Sequence, residues 1–255
     1  MTSGLELKHV TMRFGGLTAV GDLGGEIAPD DLVGLIGPNG AGKTTVFNVI
    51  TGVYSPTEGD VMFQGISIKG RKPNQISRSG IARTFQNIRL FRGLSVFDNI
   101  RVSFAPRAAH RTIGSLMRMG GFYKEEKVIS DRIEKLLEFF RLSEMRGELA
   151  TSLPYGDQRR LEIVRALATD PKLLLLDEPA AGLNPTEKQD LMRLIRQLRD
   201  EFKIAILLIE HDMGLVMGVC ERIMVLDYGI KIAEGTPPEI RANPKVIEAY
   251  LGEVV

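Results

Sequence analysis

A chain of 255 residues, 44% hydrophobic and 25% charged, has the composition of an ordinary globular protein, either one large domain or a domain bearing an insertion. Its net charge of +1 lacks the basic excess that marks a nucleic-acid binder, so nucleic acid is not an expected partner. The single cysteine, Cys220, excludes an intramolecular disulfide and favours a reducing compartment. It lies in an apolar stretch and reads as a small core residue. No basic start followed by an apolar block marks a leader, and no apolar run approaches the ~18 residues of a membrane helix. Any membrane process it serves would need other chains to span the bilayer.

In chain order, short apolar segments around Leu5, Leu7 and Phe14 predict a strand, and residues 17–27 a second. Leu32 to Ile36 is a compact apolar run ending at Gly37, with a helix expected from near Gly42. Residues 59–68 predict a hairpin turning at Gln64-Gly65, and Ile81 to Phe85 another strand. Helical patterns dominate from about Asn87 to Thr169, with an irregular connection over 104–123. Ile129, Ile133, Leu136, Leu137 and Phe140 form one amphipathic face. Strand-helix alternation then resumes: Leu173 to Leu176, a helix striped by Leu191, Leu194, Ile195, Leu198 and Phe202, then strands Ile204 to Ile209 and Ile223 to Leu226. Apolar strands alternating with amphipathic helices predict an α/β core with a parallel sheet covered on both faces.

Gly37-Pro38-Asn39-Gly40-Ala41-Gly42-Lys43-Thr44 fits the phosphate-loop pattern G-x-x-x-x-G-K-[ST], between an apolar strand and a helix. The glycines let backbone N–H groups converge on phosphate oxygens, and the helix N-terminus adds partial positive charge. Lys43 brings a mobile charge for the terminal phosphates, and Thr44 offers a hydroxyl to Mg²⁺. Asp177 and Glu178 end the apolar run Leu173 to Leu176, where ligands of such sheets collect. Asp177 is placed to hold Mg²⁺ and Glu178 to act on an attacking water as general base. Gln86, at a strand end, could ligate Mg²⁺ or touch that water. His211, after the apolar run 206–209, could sense the terminal phosphate or simply start a helix, as Asp212 could.

Taken in order, these motifs resemble the nucleotide-binding domain of an ABC transporter along nearly the whole chain. The resemblance covers the Walker A loop 37–45, which adds Thr45, the Q-loop Gln86 and Leu153-Pro154-Tyr155-Gly156-Asp157-Gln158 at the signature position. It continues through Walker B at Asp177-Glu178, the D-loop Ala181-Gly182-Leu183-Asn184, the switch histidine His211 and the adenine-stacking aromatic position at Phe14. It implies a RecA-like P-loop NTPase core (1–86 and 166–255) with a mostly parallel sheet, an N-terminal antiparallel β subdomain and C-terminal helices. A helical insertion (87–165) would carry the signature. ATP and Mg²⁺ are the implied cofactors. Pro154, Tyr155, Gly156, Asp157 and Asn184 would act across a dimer on a second subunit's nucleotide. Asn184-Pro185 also reads as a plain helix start.

Finer wording narrows the likeness. Arg83-Thr84-Phe85-Gln86, Tyr155 to Glu162, Asp177 to Pro185 and the ending Glu248-Ala249-Tyr250-Leu251-Gly252-Glu253 resemble the G-type ATPase of branched-chain amino acid importers. That family implies two permease subunits, a second homologous ATPase (or a second copy of this chain), an extracytoplasmic substrate-binding protein and a peripheral place on the cytoplasmic face of the membrane. Urea or amide import and lipopolysaccharide export use similar cassettes. Non-transport ABC ATPases carry long coiled-coil insertions or paired cassettes that this chain lacks. A P-loop kinase would not need the signature or Gln86.

Overall fold

The computed structural model describes residues 4–104 and 121–251. The chain forms two compact units, Met1–Gln86 with Lys172–Val255, and Asn87–Pro171. A division between 165 and 166 would cut the helix Tyr155–Leu167, and the boundary instead follows Pro171.

The first unit holds two sheets. Strands β1 (Leu5–Phe14), β2 (Leu17–Ile27), β4 (Glu58–Phe63) and β5 (Ile66–Ser67) form an antiparallel sheet of order β2-β1-β4-β5. Its hairpin turns at Gln64 (φ 51) and Gly65 (φ 77). Two consecutive positive φ values match the right-handed twist of a two-residue turn. The second sheet has the order β10-β9-β3-β8-β7-β6. Here β3 is Leu32–Ile36, β6 Ile81–Arg83, β7 Leu173–Asp177, β8 Ala205–Ile209, β9 Arg222–Asp227 and β10 Ile230–Gly235. Neighbours from β9 to β6 pair in parallel, and β10 adds an antiparallel edge through β9.

Every residue of β3, β7 and β8 is buried, as unbroken apolar runs require when both faces are covered. Helices α1 (Lys43–Ile50), α2 (Pro73–Ser79), α6 (Pro185–Phe202), α7 (Met213–Val219), α8 (Pro237–Ala242) and α9 (Pro244–Leu251) belong to this unit. The apolar stripe of α6 is buried at Leu191, Leu194, Ile195 and Leu198. Cys220 is buried, and desolvation pushes its thiol up to about 12, consistent with an inert core residue.

The strand expected over Ile81 to Phe85 is shorter. β6 ends at Arg83, one further ladder bond runs from Thr84 N–H to the Leu175 carbonyl, and Phe85 is exposed. The C-terminal helices implied by the resemblance are α8 and α9; strand β10 and helix α2 were not anticipated. Their segments are short and carry little periodicity.

The second unit contains α3 (Val96–Val102), α4 (Gly121–Phe139), a 3-10 turn at Ser143–Met145 and α5 (Tyr155–Leu167). Ile133, Leu136, Leu137 and Phe140 are buried on one face, as the helical spacing predicts. Of the irregular connection expected over 104–123, the last residues from Gly121 open α4. Residues 105–120 lie outside the described residues, as do Gly252 and Glu253.

Candidate functional site

The loop between β3 and α1 is shaped by glycines that no other residue could replace. Gly37 has φ 152, and a Cβ there would lie 2.1 Å from the Leu226 carbonyl oxygen. Gly42, the N-cap of α1, has φ 99, and its Cβ would meet the Ala19 carbonyl oxygen at 2.5 Å. The loop is thus packed against neighbouring backbone as it leads into the N-terminus of α1. Thr44 is exposed and Thr45 half-buried on the first turn.

Lys43 is only 8% exposed. Its Nζ donates to the carbonyls of Gly37 at 2.7 Å and Pro38 at 2.9 Å. Burial lowers its pKa, and the carboxylates of Glu178 and Asp177 oppose that shift. The ammonium therefore senses both acidic groups electrostatically.

Asp177 ends β7 and is buried. Its register partner is Ile209 at the end of β8. Its N–H donates to Thr84 Oγ1 at 3.3 Å, and its Oδ2 accepts from Arg83 Nη2 at 2.7 Å. Glu178 follows with φ 46, a left-handed conformation that costs energy in a non-glycine residue and tends to persist where surroundings hold it. The hold is visible: Glu178 N–H donates to the Ile209 carbonyl at 2.9 Å, and Gln86 Nε2 donates to Glu178 Oε2 at 2.9 Å. His211 Nδ1 lies 3.6 Å from the same Oε2.

Lys43, Gln86, Asp177, Glu178 and His211 therefore share one corner, beyond the carboxyl ends of parallel strands. Phe14, at the end of β1, is 41% exposed. Its ring meets Tyr54 edge-on, with centroids 5.0 Å apart, leaving an apolar surface of the kind a planar base can cover.

Asn184 caps α6. Its side chain accepts from Glu187 N–H at 3.0 Å, and Glu187 returns a bond from the Asn184 N–H at 2.8 Å. This is a complete capping box. The signature residues belong to the second unit. Pro154 is the N-cap of α5, and its carbonyl accepts from the N–H groups of Asp157 and Gln158, each at 3.0 Å. Tyr155 is exposed. Asp157 pairs with Arg160 at 3.3 Å on the first turn.

Three contributors were not legible as such. Arg83 reaches Asp177, as described. Glu210 is fully buried and collects N–H groups from Ala180 at 2.7 Å and His211 at 3.1 Å. Desolvation raises its pKa, against those backbone bonds and the nearby His211. Glu210 thereby ties the segment after Glu178 to the backbone of His211. In the second unit, Asn99, also fully buried, donates to the carbonyls of Phe91, Leu94 and Ser95 and accepts from Phe91 N–H. A polar residue inside an apolar helix pattern gave Asn99 a weak signal. Glu210 and Arg83 had one only as neighbours of named motifs.

No group of three or more His, Cys, Asp or Glu side chains among the described residues is arranged to hold a metal ion. The donors here are one buried carboxylate, Asp177, with the Thr44 hydroxyl on the first turn of α1 and the Gln86 amide beyond β6. That set suits a cation that keeps phosphate oxygens and water among its ligands, as Mg²⁺ does.

Residues 20–181 match the family model described as ABC transporter. Residues 231–255 match one described as branched-chain amino acid ATP-binding cassette transporter. The high-affinity branched-chain amino acid transport ATP-binding protein LivG of Escherichia coli (strain K12) is 47% identical, over 98% of each chain. BraF of Pseudomonas aeruginosa, with the same description, is 46% identical over the same shares. Among solved structures, the ADP conformation of an ATP-binding cassette of an ABC transporter is similar with a TM-score of 0.85 and 32% identity, covering 99% of this chain and 100% of that one.

Proposed function

The chain belongs to the ABC transporter family of ATP-binding proteins, and from that premise we propose that it hydrolyses ATP to power an importer of branched-chain amino acids. The observation that carries the chemistry is the meeting of Lys43, Asp177, Glu178 and Gln86 at one end of the parallel sheet. The high identity to LivG and BraF along the full chain, with the separate match of the last segment, supports the substrate class.

In this reading the backbone N–H groups of residues 37–45 cradle the phosphates, and Lys43 exchanges its carbonyl partners for phosphate oxygens. Phe14 stacks on adenine. Thr44, Asp177 and Gln86 are the residues that would hold Mg²⁺, which when bound would supply charge neutralisation during phosphoryl transfer. Glu178 takes a proton from the attacking water at Oε1 or Oε2 and is kept in place by Gln86 and by its own strained backbone. His211 stands beside the same carboxylate and reports the terminal phosphate. Pro154, Tyr155, Gly156, Asp157 and Asn184 act on the nucleotide of a second cassette, a homologous ATPase or another copy of this chain.

Among the described residues, no helix is long and apolar enough to cross a membrane. The transport path would belong to two permease subunits supplied by an extracytoplasmic binding protein. This chain would sit against the permeases at the cytoplasmic face. Phe91, exposed and covered on one side by the Arg165 guanidinium 4.8 Å from its centroid, is a candidate contact, together with Ile88, Leu90, Leu94 and Phe97 around it. An apolar patch on a helical unit suits a partner helix.

Uptake of labelled leucine and of labelled urea, in a strain deleted for this gene and complemented with the parent or Glu178→Gln, tests the assignment. Leucine uptake restored by the parent and not by the variant is expected. Urea uptake restored in place of leucine would overturn the substrate class. Cysteine placed at Phe91 should cross-link to a permease.

A further inference from the structure

Arg83 closes β6, three positions before Gln86, and its side chain is 10% exposed. The guanidinium is fixed from three sides. Nη2 donates to Asp177 Oδ2 at 2.7 Å, and Nη1 donates to Asn48 Oδ1 at 2.7 Å and, more weakly, to Thr51 Oγ1 at 3.5 Å. The plane lies over the rings of Phe47 at 5.4 Å and Phe85 at 5.5 Å. Its Nε is buried with no hydrogen-bond partner, so a donor is left unmet to keep the group where Asp177 and Asn48 hold it. Asn48, Phe47 and Thr51 lie on or just after α1, the helix that follows the phosphate loop. Phe85 lies beside Gln86. One side chain thus joins the phosphate-loop helix, the acidic strand end and the segment leading to Gln86.

The charge count shows why this matters. Asp177 and Glu178 bring two negative charges to the corner, and Lys43 feels both. Arg83 is the second cation, and with it these four groups balance, apart from the buried Glu210 carboxyl, which faces His211 Nδ1 at 3.7 Å. Without Arg83 the corner carries a net negative charge beside a buried carboxylate, a setting that attracts a divalent cation.

Resting on the nucleotide-site reading above, we propose that Arg83 is a positioning residue that holds the Asp177 carboxylate as an ion pair, so that the divalent cation is taken up together with ATP and not ahead of it. The planar fork, bonded to Asp177 and Asn48 at once, fits this role where a lysine point charge would supply the charge with less orientation.

The test uses the full chain with Mn²⁺ as the probe. Free Mn²⁺ is followed by electron paramagnetic resonance without nucleotide, and a fluorescent ATP is titrated in EDTA and in excess Mg²⁺. The parent should bind Mn²⁺ weakly without nucleotide. Arg83→Gln should tighten that binding by about tenfold or more, the order expected when a facing charge is removed at a partly buried site. It should also weaken ATP binding in EDTA more than in Mg²⁺. Arg83→Lys should return Mn²⁺ binding towards the parental value. Asn48→Ala, which keeps the charge and removes its tether, should move Mn²⁺ binding the same way as Arg83→Gln but less, and it decides the matter if Arg83→Gln does not fold. Unchanged Mn²⁺ binding in folded Arg83→Gln, or in Asn48→Ala where that variant decides, overturns the proposal. A parent that binds no ATP with or without Mg²⁺ overturns the nucleotide-site reading instead.

Discussion

The two compact units place their candidate functional residues by different means. In the first, the phosphate loop, Glu178 and His211 each come directly or within two residues after a strand with no exposed residue, and Asp177 is the last residue of one. Sheet register sets their positions: Asp177 stands opposite Ile209, and Glu178 N–H bonds the same Ile209. In the second, no strand is assigned among the described residues, and buried side chains organise the backbone. Asn99 gathers the loop from Phe91 to Ser95. In α5, buried Arg159 pairs with Glu162 at 2.8 Å and reaches the Tyr155 hydroxyl at 3.3 Å. A ladder can move a residue only by changing register, whereas a side-chain knot can be undone by one substitution. The first unit should therefore lose chemistry while keeping its fold, and the second should lose its fold more readily.

The largest effect is expected in the first unit. Glu178→Gln keeps the acceptor oxygen and removes the base, so hydrolysis should fall by about 10²–10⁴-fold while ATP binding persists and an ATP-bound dimer accumulates. Turnover with size-exclusion chromatography in ATP checks both; a monomeric variant with parental turnover contradicts the assignment. Lys43→Ala should lower turnover by about 10²–10³-fold and weaken ATP binding as well, because the phosphates lose their main cation. Both variants should unfold in urea close to the parental midpoint. A large loss of stability in either would break the contrast between the units.

What could be read from the sequence follows the same divide. β3, β7 and β8 were legible because a parallel strand covered on both faces must be apolar throughout, and the polar residues just beyond each run were the site. The interior of β6 was legible too, but its end was not: Phe85 is the next apolar residue after Ile81-Ala82 in sequence yet stays exposed beside Arg83. The roles of Arg83, Glu210 and Asn99 could not be read, because an ion pair or a backbone clasp between distant segments leaves no periodicity. The signature residues were found by resemblance alone; the pattern shows only that a helix starts at Tyr155.

Two asparagines sharpen the comparison at smaller scale. Asn184 caps α6 at an exposed site, and Asn184→Ala should cost about 1 kcal/mol. Asn99 is fully buried, its two amide hydrogens shared among three carbonyls. Asn99→Ala removes the acceptor of the Phe91 N–H and opens a void at a fully buried site, while the three carbonyls keep backbone donors from Leu94, Ala150 and residue 99 itself; a buried group left unsatisfied costs about 1–3 kcal/mol. Urea denaturation should therefore rank Asn99→Ala well below Asn184→Ala in stability. The reverse order would mean that the second unit does not depend on its buried polar knot.

A gain, set against these losses, is expected at Pro154, which stands where the resembled family usually has serine. It caps α5 with φ −53 and ψ 151 and makes no side-chain cap bond. Ser95, at the start of α3 in the same unit, accepts from Asp98 N–H at 3.0 Å, so the serine-type cap is available to this unit and unused at α5. Proline has neither a hydroxyl nor an N–H to offer a phosphate facing it across a dimer. A hydrogen bond to a charged group is worth about 1.5–3 kcal/mol, so the site built by this loop should be the weaker of two in a pair with a homologous ATPase. It should not be silent, because the N-terminus of α5 keeps its partial charge and Gly156 lets backbone approach closely. Pro154→Ser should add the missing donors and a cap worth about 1 kcal/mol to α5. Turnover or ATP-dependent dimerisation should rise, by about tenfold for each 1.4 kcal/mol recovered. Thermal stability measured without nucleotide isolates the cap, and dimer fraction with ATP isolates the phosphate contact. A variant with the parental fold, a stabilised helix and lower dimerisation would show that proline shapes the loop and that the absent donor is not what limits the site.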